Sequence, residues 1–144
     1  MRRTCLFAAA AALAATAFAA SAPAADLRVG YSSDIVTLDP GNHRSRVTES
    51  ALLNIYDSLV ARTDDMKLVP ELAESLTQID ATTWEAKLRR GVRFHDGSEM
   101  TAEDVRFTYD RLTKANAMDG KTSPRQSLVG PVAETIVVDP YTVR

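Results

Sequence analysis

The stretch TWEAKLRRGVRFHDGSEMTAEDVRFTYDRLTK, residues 83–114, decides the fold class. In its first part apolar side chains alternate with charged ones, which predicts a strand with one buried face over 83–89. Turn signals at Arg90-Gly91 and Asp96-Gly97 bracket a second alternating segment. The pattern predicts a hairpin whose core side carries four apolar residues, Trp84, Leu88, Val92 and Phe94.

The second part of the stretch predicts a helix over 102–114. Thr101 stands at the N-cap position, and Glu103 and Asp104 follow in the first turn, where acidic side chains face the positive end of the helix dipole. Apolar residues at helical spacing form a stripe made of Val105, Tyr109 and Leu112. A hairpin followed directly by a helix predicts a mixed α/β fold.

Upstream of this stretch, alternation over Leu27–Ser32 predicts a strand, and residues 37–42 concentrate turn formers around Asp39-Pro40. Helical spacing between Ser45 and Leu59 predicts a helix that ends near Tyr56 to Ser58. Residues 71–79 fit either a strand or a turn of helix.

Downstream, residues 115–131 have a loop composition, and Asp139-Pro140 separates two short arms of a hairpin, 135–138 and 141–143. The second arm stops at Arg144 with no following segment to pair with. We therefore interpret the chain as truncated at its C-terminus.

Residues 1–24 have the composition of a secretory signal peptide. Arg2 and Arg3 precede the apolar run Leu6–Ala20, and Ala22-Pro23-Ala24 offers small residues for cleavage. Cys5, the single cysteine, lies before the apolar run rather than at the cleavage point. We expect an exported, periplasmic protein of residues 25–144 that is soluble and not lipid-anchored.

Composition excludes several other classes of protein. The chain has 144 residues, 45% of them apolar and 25% charged, which is ordinary for one soluble domain. Its formal net charge of -2 does not favour a nucleic-acid partner. Without Cys5 the mature chain has no thiol, so disulfides and thiolate zinc sites are excluded.

The sequence carries no recognisable catalytic motif. We therefore expect no catalytic residues, no cofactor and no metal, although four alternatives stay open. His43 and His95 with Asp96 would have to come together to bind a metal, and Arg44 and Arg46 would suit an anion. A secreted hydrolase would use His95 and Asp96, and Trp84 would be a stacking platform for a ligand if it were not a core residue.

Seven short segments, in order and with characteristic spacing, resemble the family 5 solute-binding proteins of bacterial ABC importers, the oligopeptide, dipeptide and nickel binding group. They are Thr37–Pro40, Tyr56–Val60, Val69–Ser75, Thr83-Trp84, Leu88–Gly97, Thr101–Val105 and Val138–Arg144. Leu76, where the family usually has Trp, and Ala86, where an aromatic residue is common, depart from the pattern.

The resemblance implies a two-lobed periplasmic binding protein of which residues 25–144 form the N-terminal part, a strand of the first lobe and a small appended α/β subdomain. It implies capture of peptides or peptide-like solutes for an ABC permease, without enzymatic activity, by a full-length parent that is a monomer. In the family the segment after the Asp-Pro turn borders the ligand, and the matching positions are His43, Arg44 and Arg46.

Overall fold

The computed structural model describes residues 26–144, so the predicted signal peptide of residues 1–24 lies outside the described residues. The chain divides into two units at Gly30. Residues 26–30, the described part of the first unit, have no regular secondary structure. The described helices and strands all lie in the second unit, Tyr31–Arg144.

The second unit combines short helices with antiparallel strands, which confirms the predicted mixed α/β class. The helices are α1 (Arg46–Leu52), α2 (Ala102–Thr113) and α3 (Gln126–Val129). The strands are β1 (Val60–Arg62), β2 (Leu68–Pro70), β3 (Ala73–Gln78), β4 (Trp84–Leu88), β5 (Val137–Asp139) and β6 (Thr142–Val143).

Two antiparallel sheets organise these strands. β1 and β2 form a hairpin with Ala61 opposite Val69. The other four strands form a sheet in the order β3-β4-β6-β5. Leu76 pairs with Ala86, and Ala86 pairs on its other side with Val143, so the centre of this sheet joins segments that are far apart in the sequence.

The hydrophobic core lies between α2 and the inner face of the four-stranded sheet. Small and medium side chains dominate it, and its buried members are Ala73, Ala86, Leu88, Met100, Ala102, Val105 and Val143. The backbone N–H of Ala102 donates to the carbonyl of Pro140 at 2.9 Å, which fastens the start of α2 to the β5–β6 turn. The small side chain of Ala102, which is fully buried, suits this close approach of α2 to the turn.

α2 begins where the sequence predicts. The Asp104 carboxylate accepts hydrogen bonds from the backbone N–H of Thr101 at 2.8 Å and from its hydroxyl at 3.0 Å. The first of these contacts satisfies a backbone N–H that the start of a helix leaves unpaired. The predicted ion pair between Asp110 and Lys114 is also present, with Nζ of Lys114 2.8 Å from Oδ2 of Asp110.

Two sequence predictions upstream of the sheet are wrong. Residues 27–32 form no strand, and Leu27 is 87% exposed, because no other described segment supplies the backbone partner that a strand needs. α1 ends at Leu52 rather than near Tyr56. The side chain of Asn54 donates to the Ser50 carbonyl at 2.9 Å and so occupies one of the last-turn acceptors.

The predicted hairpin between 83–89 and 92–95 is also wrong. β4 pairs with β3 and β6 instead, so both of its edges are occupied. Residues 93–99 turn back on themselves, with the N–H of Phe94 donating to the Ser98 carbonyl at 2.9 Å. The ambiguous segment 71–79 supplies the missing partner as strand β3.

Trp84 is not a core residue, contrary to the sequence prediction. It stands at the outer end of β4, opposite Gln78, and is 51% exposed. Ala86 and Leu88, on the same face of the strand, are buried. The alternation predicted the correct face, but the packing of α2 on the sheet does not reach this end of it. Phe94, the other aromatic residue of the predicted core side, is also exposed.

The predicted C-terminal hairpin is confirmed, and its second strand has a pairing partner on each side. β5 and β6 pair around a turn in which the Asp139 carboxylate accepts from the N–H of Tyr141 at 2.8 Å. β6 lies inside the sheet, between β4 and β5, rather than at an unpaired edge. The loop 115–131 contains one short helix, α3.

These burial patterns predict unequal effects for two truncations on one strand face. Leu88→Ala should lower the free energy of unfolding by about 2–5 kcal/mol because Leu88 is 2% exposed in a closed core. Trp84→Ala should cost no more than about 1 kcal/mol. Chemical denaturation of both variants is the measurement, and an equal loss for the two would contradict the placement of Trp84.

Candidate functional site

The candidate site is built on the loop of residues 39–46, which runs from the Asp-Pro turn into α1. Asp39 anchors its beginning. The Asp39 carboxylate binds the Arg111 guanidinium with two hydrogen bonds, one of them Oδ1 to Nη1 at 2.8 Å, and accepts the N–H of Gly41 at 2.9 Å. The loop is thereby fixed to the last turn of α2.

This ion pair is partly shielded from solvent, with about 30% of each side chain exposed. The hydrogen bonds from Arg111 hold the pKa of Asp39 below its ordinary value of 3.8, and the pKa of Arg111 is raised in return. The carboxylate therefore stays ionised throughout the neutral range, where both partners of the pair carry their charges.

Gly41 lies in close contact with this pair and is buried. A Cβ at this position would lie 3.2 Å from Nη1 of Arg111 and 3.3 Å from a methyl group of Leu112. The Gly41 carbonyl also accepts the hydroxyl of buried Ser123 at 2.7 Å. Glycine thus allows the loop to approach α2 and the 123–129 segment at the same time.

A second ion pair supports the end of the loop. The Arg125 guanidinium binds both oxygens of Glu49 on α1, with Nη2 to Oε1 at 3.2 Å, and Nη1 lies 3.2 Å from Nε2 of His43. These hydrogen bonds from Arg125 hold the pKa of Glu49 below its ordinary value. His43 is 3% exposed, and its Nδ1 has no hydrogen-bond partner among residues 26–144.

The structure brings two of the three predicted ligand residues to one cleft wall. Arg44 and Arg46 are exposed and line an open cleft of about 830 Å³ beside α1. Arg44 donates to the hydroxyl of Ser127, and Arg46 has no side-chain partner among the described residues. His43 is buried beside the Arg125 guanidinium and is not among the residues that line this cleft.

The residues of the hydrolase and metal alternatives do not form such a site. His95 and Asp96 are exposed on the 93–99 turn, where the Asp96 carboxylate accepts the N–H of Ser98 at 2.9 Å and its hydroxyl. Residues 26–144 hold no group of three or more acidic, histidine or cysteine side chains that would suit a metal ion. Nothing in this geometry supports the secreted hydrolase.

Sequence reasoning missed four residues that build the site, Glu49, Arg111, Ser123 and Arg125. Arg111 lies 72 residues from Asp39, and Arg125 lies 76 residues from Glu49. No local pattern links partners at such distances. The only sequence signal was the arrangement of Ser123 before a proline, which indicated a turn but not its contacts.

Among residues 26–144, no helix is long and apolar enough to cross a membrane.

Residues 67–144 match the model of the bacterial extracellular solute-binding proteins, family 5. The chain is 34% identical over 134 residues to the glutathione-binding protein GsiB of Escherichia coli K12, covering 92% of this chain and 24% of that protein. It is 35% identical over 122 residues to GsiB of Salmonella choleraesuis, covering 84% of this chain and 23% of that protein. The chain therefore spans about a quarter of the length of these relatives.

Solved structures share the fold. The binding protein AgaA of A. tumefaciens R10, in complex with agropinic acid, has a TM-score of 0.66 and 29% identity over 76% of this chain and 22% of that one. The dipeptide-binding protein of Pseudoalteromonas sp. SM9913, in complex with Met-Leu, has a TM-score of 0.66 at 22% identity, covering 77% and 25%. The latter likeness concerns the fold alone.

The contribution of the Asp39–Arg111 ion pair to the free energy of unfolding should depend on pH. Asp39→Asn should lower the free energy of unfolding at pH 7 by roughly 1–2 kcal/mol, because it removes charge-assisted hydrogen bonds from a partly exposed pair. The folded-state pKa is lowered, so this stabilisation is complete above the ordinary pKa of 3.8 and is lost as the pH falls below it.

Denaturation from pH 7 to pH 3 is the measurement. The variant should lose less stability than the wild type on acidification, so that the two curves converge. Asp64→Asn, at an exposed turn position with no ion pair, is the control and should follow the wild type. Parallel curves for Asp39→Asn and wild type would show that the pair contributes nothing.

Proposed function

The chain belongs to family 5 of the bacterial extracellular solute-binding proteins, and on that premise we propose that it is part of the substrate-binding component of an ABC importer. The match of residues 67–144 to the family model carries the proposal, because it covers the sheet, α2 and the C-terminal hairpin as one unit. The protein would bind its solute and release it to a membrane permease, with no bond made or broken.

The proposed solute class is peptides and peptide-like molecules. Relatives with 34–35% identity are named as glutathione-binding proteins, and a structural relative at 24% identity, DppA of Helicobacter pylori, is an ABC transporter-associated binding protein in complex with a peptide. Glutathione is itself a small peptide, so the sequence relatives point to the same class. We propose the permease as a partner and a monomeric state for the whole protein.

The proposed location is the periplasm, reached by cleavage of residues 1–24. We propose that residues 25–144 belong to one solute-binding domain and that the segment His43–Arg46 faces the solute. Arg44 and Arg46 would contact it directly. His43 would hold the segment in place through Arg125, because it is buried beside that guanidinium.

Uptake by the source bacterium tests this function. Deleting the gene should lower the initial rate of uptake of labelled glutathione or of labelled di- and tripeptides several-fold, because an importer without its binding component receives no solute. Complementation with the intact gene should restore uptake, and complementation with a version lacking codons 2–24 should not, since that product would stay in the cytoplasm.

Uptake of a free amino acid is the control and should be unchanged in the deletion strain. If uptake of every peptide tested equals that of the parent strain, the importer role is wrong. If the version without codons 2–24 restores uptake fully, the export step is wrong while the importer role stands.

A further inference from the structure

We propose that the Asp119-Gly120 peptide is a site of spontaneous isoaspartate formation, a modification that reroutes the main chain through the side-chain carbonyl of Asp119. The inference concerns the chemistry of the backbone and does not depend on the proposed function. It rests on a comparison within the chain, because the same dipeptide also occurs at Asp96-Gly97, in a turn that holds both reacting groups.

Isoaspartate forms in two steps. In the first step the Gly120 nitrogen attacks Cγ of the protonated Asp119 carboxyl. An N–Cγ bond forms, the Cγ–OH bond breaks, and the hydroxyl leaves with the amide proton as water. In the second step a water molecule hydrolyses the cyclic imide at the bond between the Gly120 nitrogen and the main-chain carbonyl carbon of Asp119. The product has the mass of the original peptide, one additional backbone carbon and a free α-carboxyl group.

Both reacting groups are accessible in the 118–121 turn. Asp119 and Gly120 are exposed at its two central positions. The turn is closed by hydrogen bonds between Met118 and Lys121, from N–H to carbonyl in both directions at 2.9 Å. The N–H of Gly120 donates to no acceptor among the described residues, and none of their donors binds the Asp119 carboxylate. Glycine also leaves the attacking nitrogen unshielded, because it has no side chain.

The backbone of this turn is strained at the residue that reacts. Asp119 has φ +50°, in the left-handed region that favours glycine, and Gly120 has φ +79°. Ring closure requires the turn to open, and strain in the closed turn favours that opening. Arg111 does not hold Asp119 in place. The charge of Asp119 contributes to the raised pKa of Arg111, but this guanidinium donates its hydrogen bonds to Asp39.

The second Asp-Gly peptide is held at each reacting group. The N–H of Gly97 donates to the Phe94 carbonyl at 2.9 Å. The Asp96 carboxylate accepts the N–H of Ser98 at 2.9 Å and its hydroxyl at 2.6 Å. These bonds from Ser98 lower the pKa of Asp96, so the protonated carboxyl that forms the imide is scarcer. The contacts must break before the ring can close, and we expect them to slow the reaction at Asp96.

Isoaspartate at position 119 would affect the supports of the candidate site. The turn lies between α2 and Ser123, whose hydroxyl binds the Gly41 carbonyl. Met118, next to the reacting residue, is buried. One additional backbone carbon would misalign the pairing of Met118 with Lys121 and lengthen the link to Ser123. We therefore expect the modified chain to hold the 39–46 loop less firmly.

The test is to age the purified protein at neutral pH in water enriched in heavy oxygen, both folded and in guanidinium chloride. Each hydrolysed imide then carries one heavy oxygen. Trypsin digestion in ordinary water separates the two sites, which lie in the peptides 94–106 and 115–121. Mass spectrometry gives the rate of labelling at each site, and electron-transfer fragmentation distinguishes isoaspartate from aspartate. It also separates Asp119 from deamidation at Asn116 in the same peptide.

Each site is compared with its own rate in the denatured protein, so that the effect of sequence cancels. In the folded protein the rate at Asp96 should fall about tenfold or more, because its hydrogen bonds must break first. The rate at Asp119 should stay within about threefold of its denatured value. Ser98→Ala, which removes the hydroxyl donor, should raise the folded-state rate at Asp96 by about threefold and leave that at Asp119 unchanged.

Two results would overturn the proposal, and neither would touch the importer role. One is labelling at Asp119 that is suppressed by folding as strongly as labelling at Asp96, since the 118–121 turn would then protect its peptide. The other is heavy oxygen at Asp119 without any isoaspartate, which would show that the imide always reopens to aspartate.

Discussion

The bond between Asp39 and Arg111 is the contact on which the candidate site depends. It joins a loop near the start of the described chain to the last turn of the longest helix, across 72 residues of sequence. α2 is packed on the four-stranded sheet. The ion pair therefore attaches the 39–46 loop, which contributes little to the core, to an element that the core holds in place. The loop itself buries Gly41 and His43 but few large apolar groups.

The neighbouring contacts are consistent with this arrangement. Gly41 fits against Arg111 because it has no side chain, and its carbonyl is then in position for the hydroxyl of Ser123. Ser123 in turn accepts the N–H of Arg125 at 3.1 Å, close to the guanidinium that binds Glu49. Two ion pairs and one serine thus connect the loop, α1, α2 and the 123–129 segment. Arg44 and Arg46 are left facing the cleft with their charges unpaired by any described carboxylate.

The sequence predicted secondary structure correctly where that structure depends on residues close together in the chain. α2 was predicted because its cap, its acidic first turn and its apolar stripe all lie within one stretch, and the Asp139 turn was predicted for the same reason. Alternation placed Ala86 and Leu88 on the buried face, but it could not show that Trp84 extends beyond the reach of α2. The predicted partner of β4 was wrong because strands β3 and β6 compete for its edges from elsewhere in the chain. The candidate loop was found through the family resemblance, whereas its supports Arg111 and Arg125 could not be, since nothing local marks a partner more than 70 residues away.

A double-mutant cycle between Asp39 and Arg111 tests this account most directly. The free energies of unfolding of Asp39→Asn, Arg111→Gln and the double variant are compared with that of the wild type at pH 7. If the pair fixes the loop to α2, the two substitutions should be coupled by about 1–2 kcal/mol, so that the double variant is less destabilised than the sum of the single ones. Additivity within about 0.3–0.5 kcal/mol would show that the two side chains do not stabilise each other, and would contradict the account.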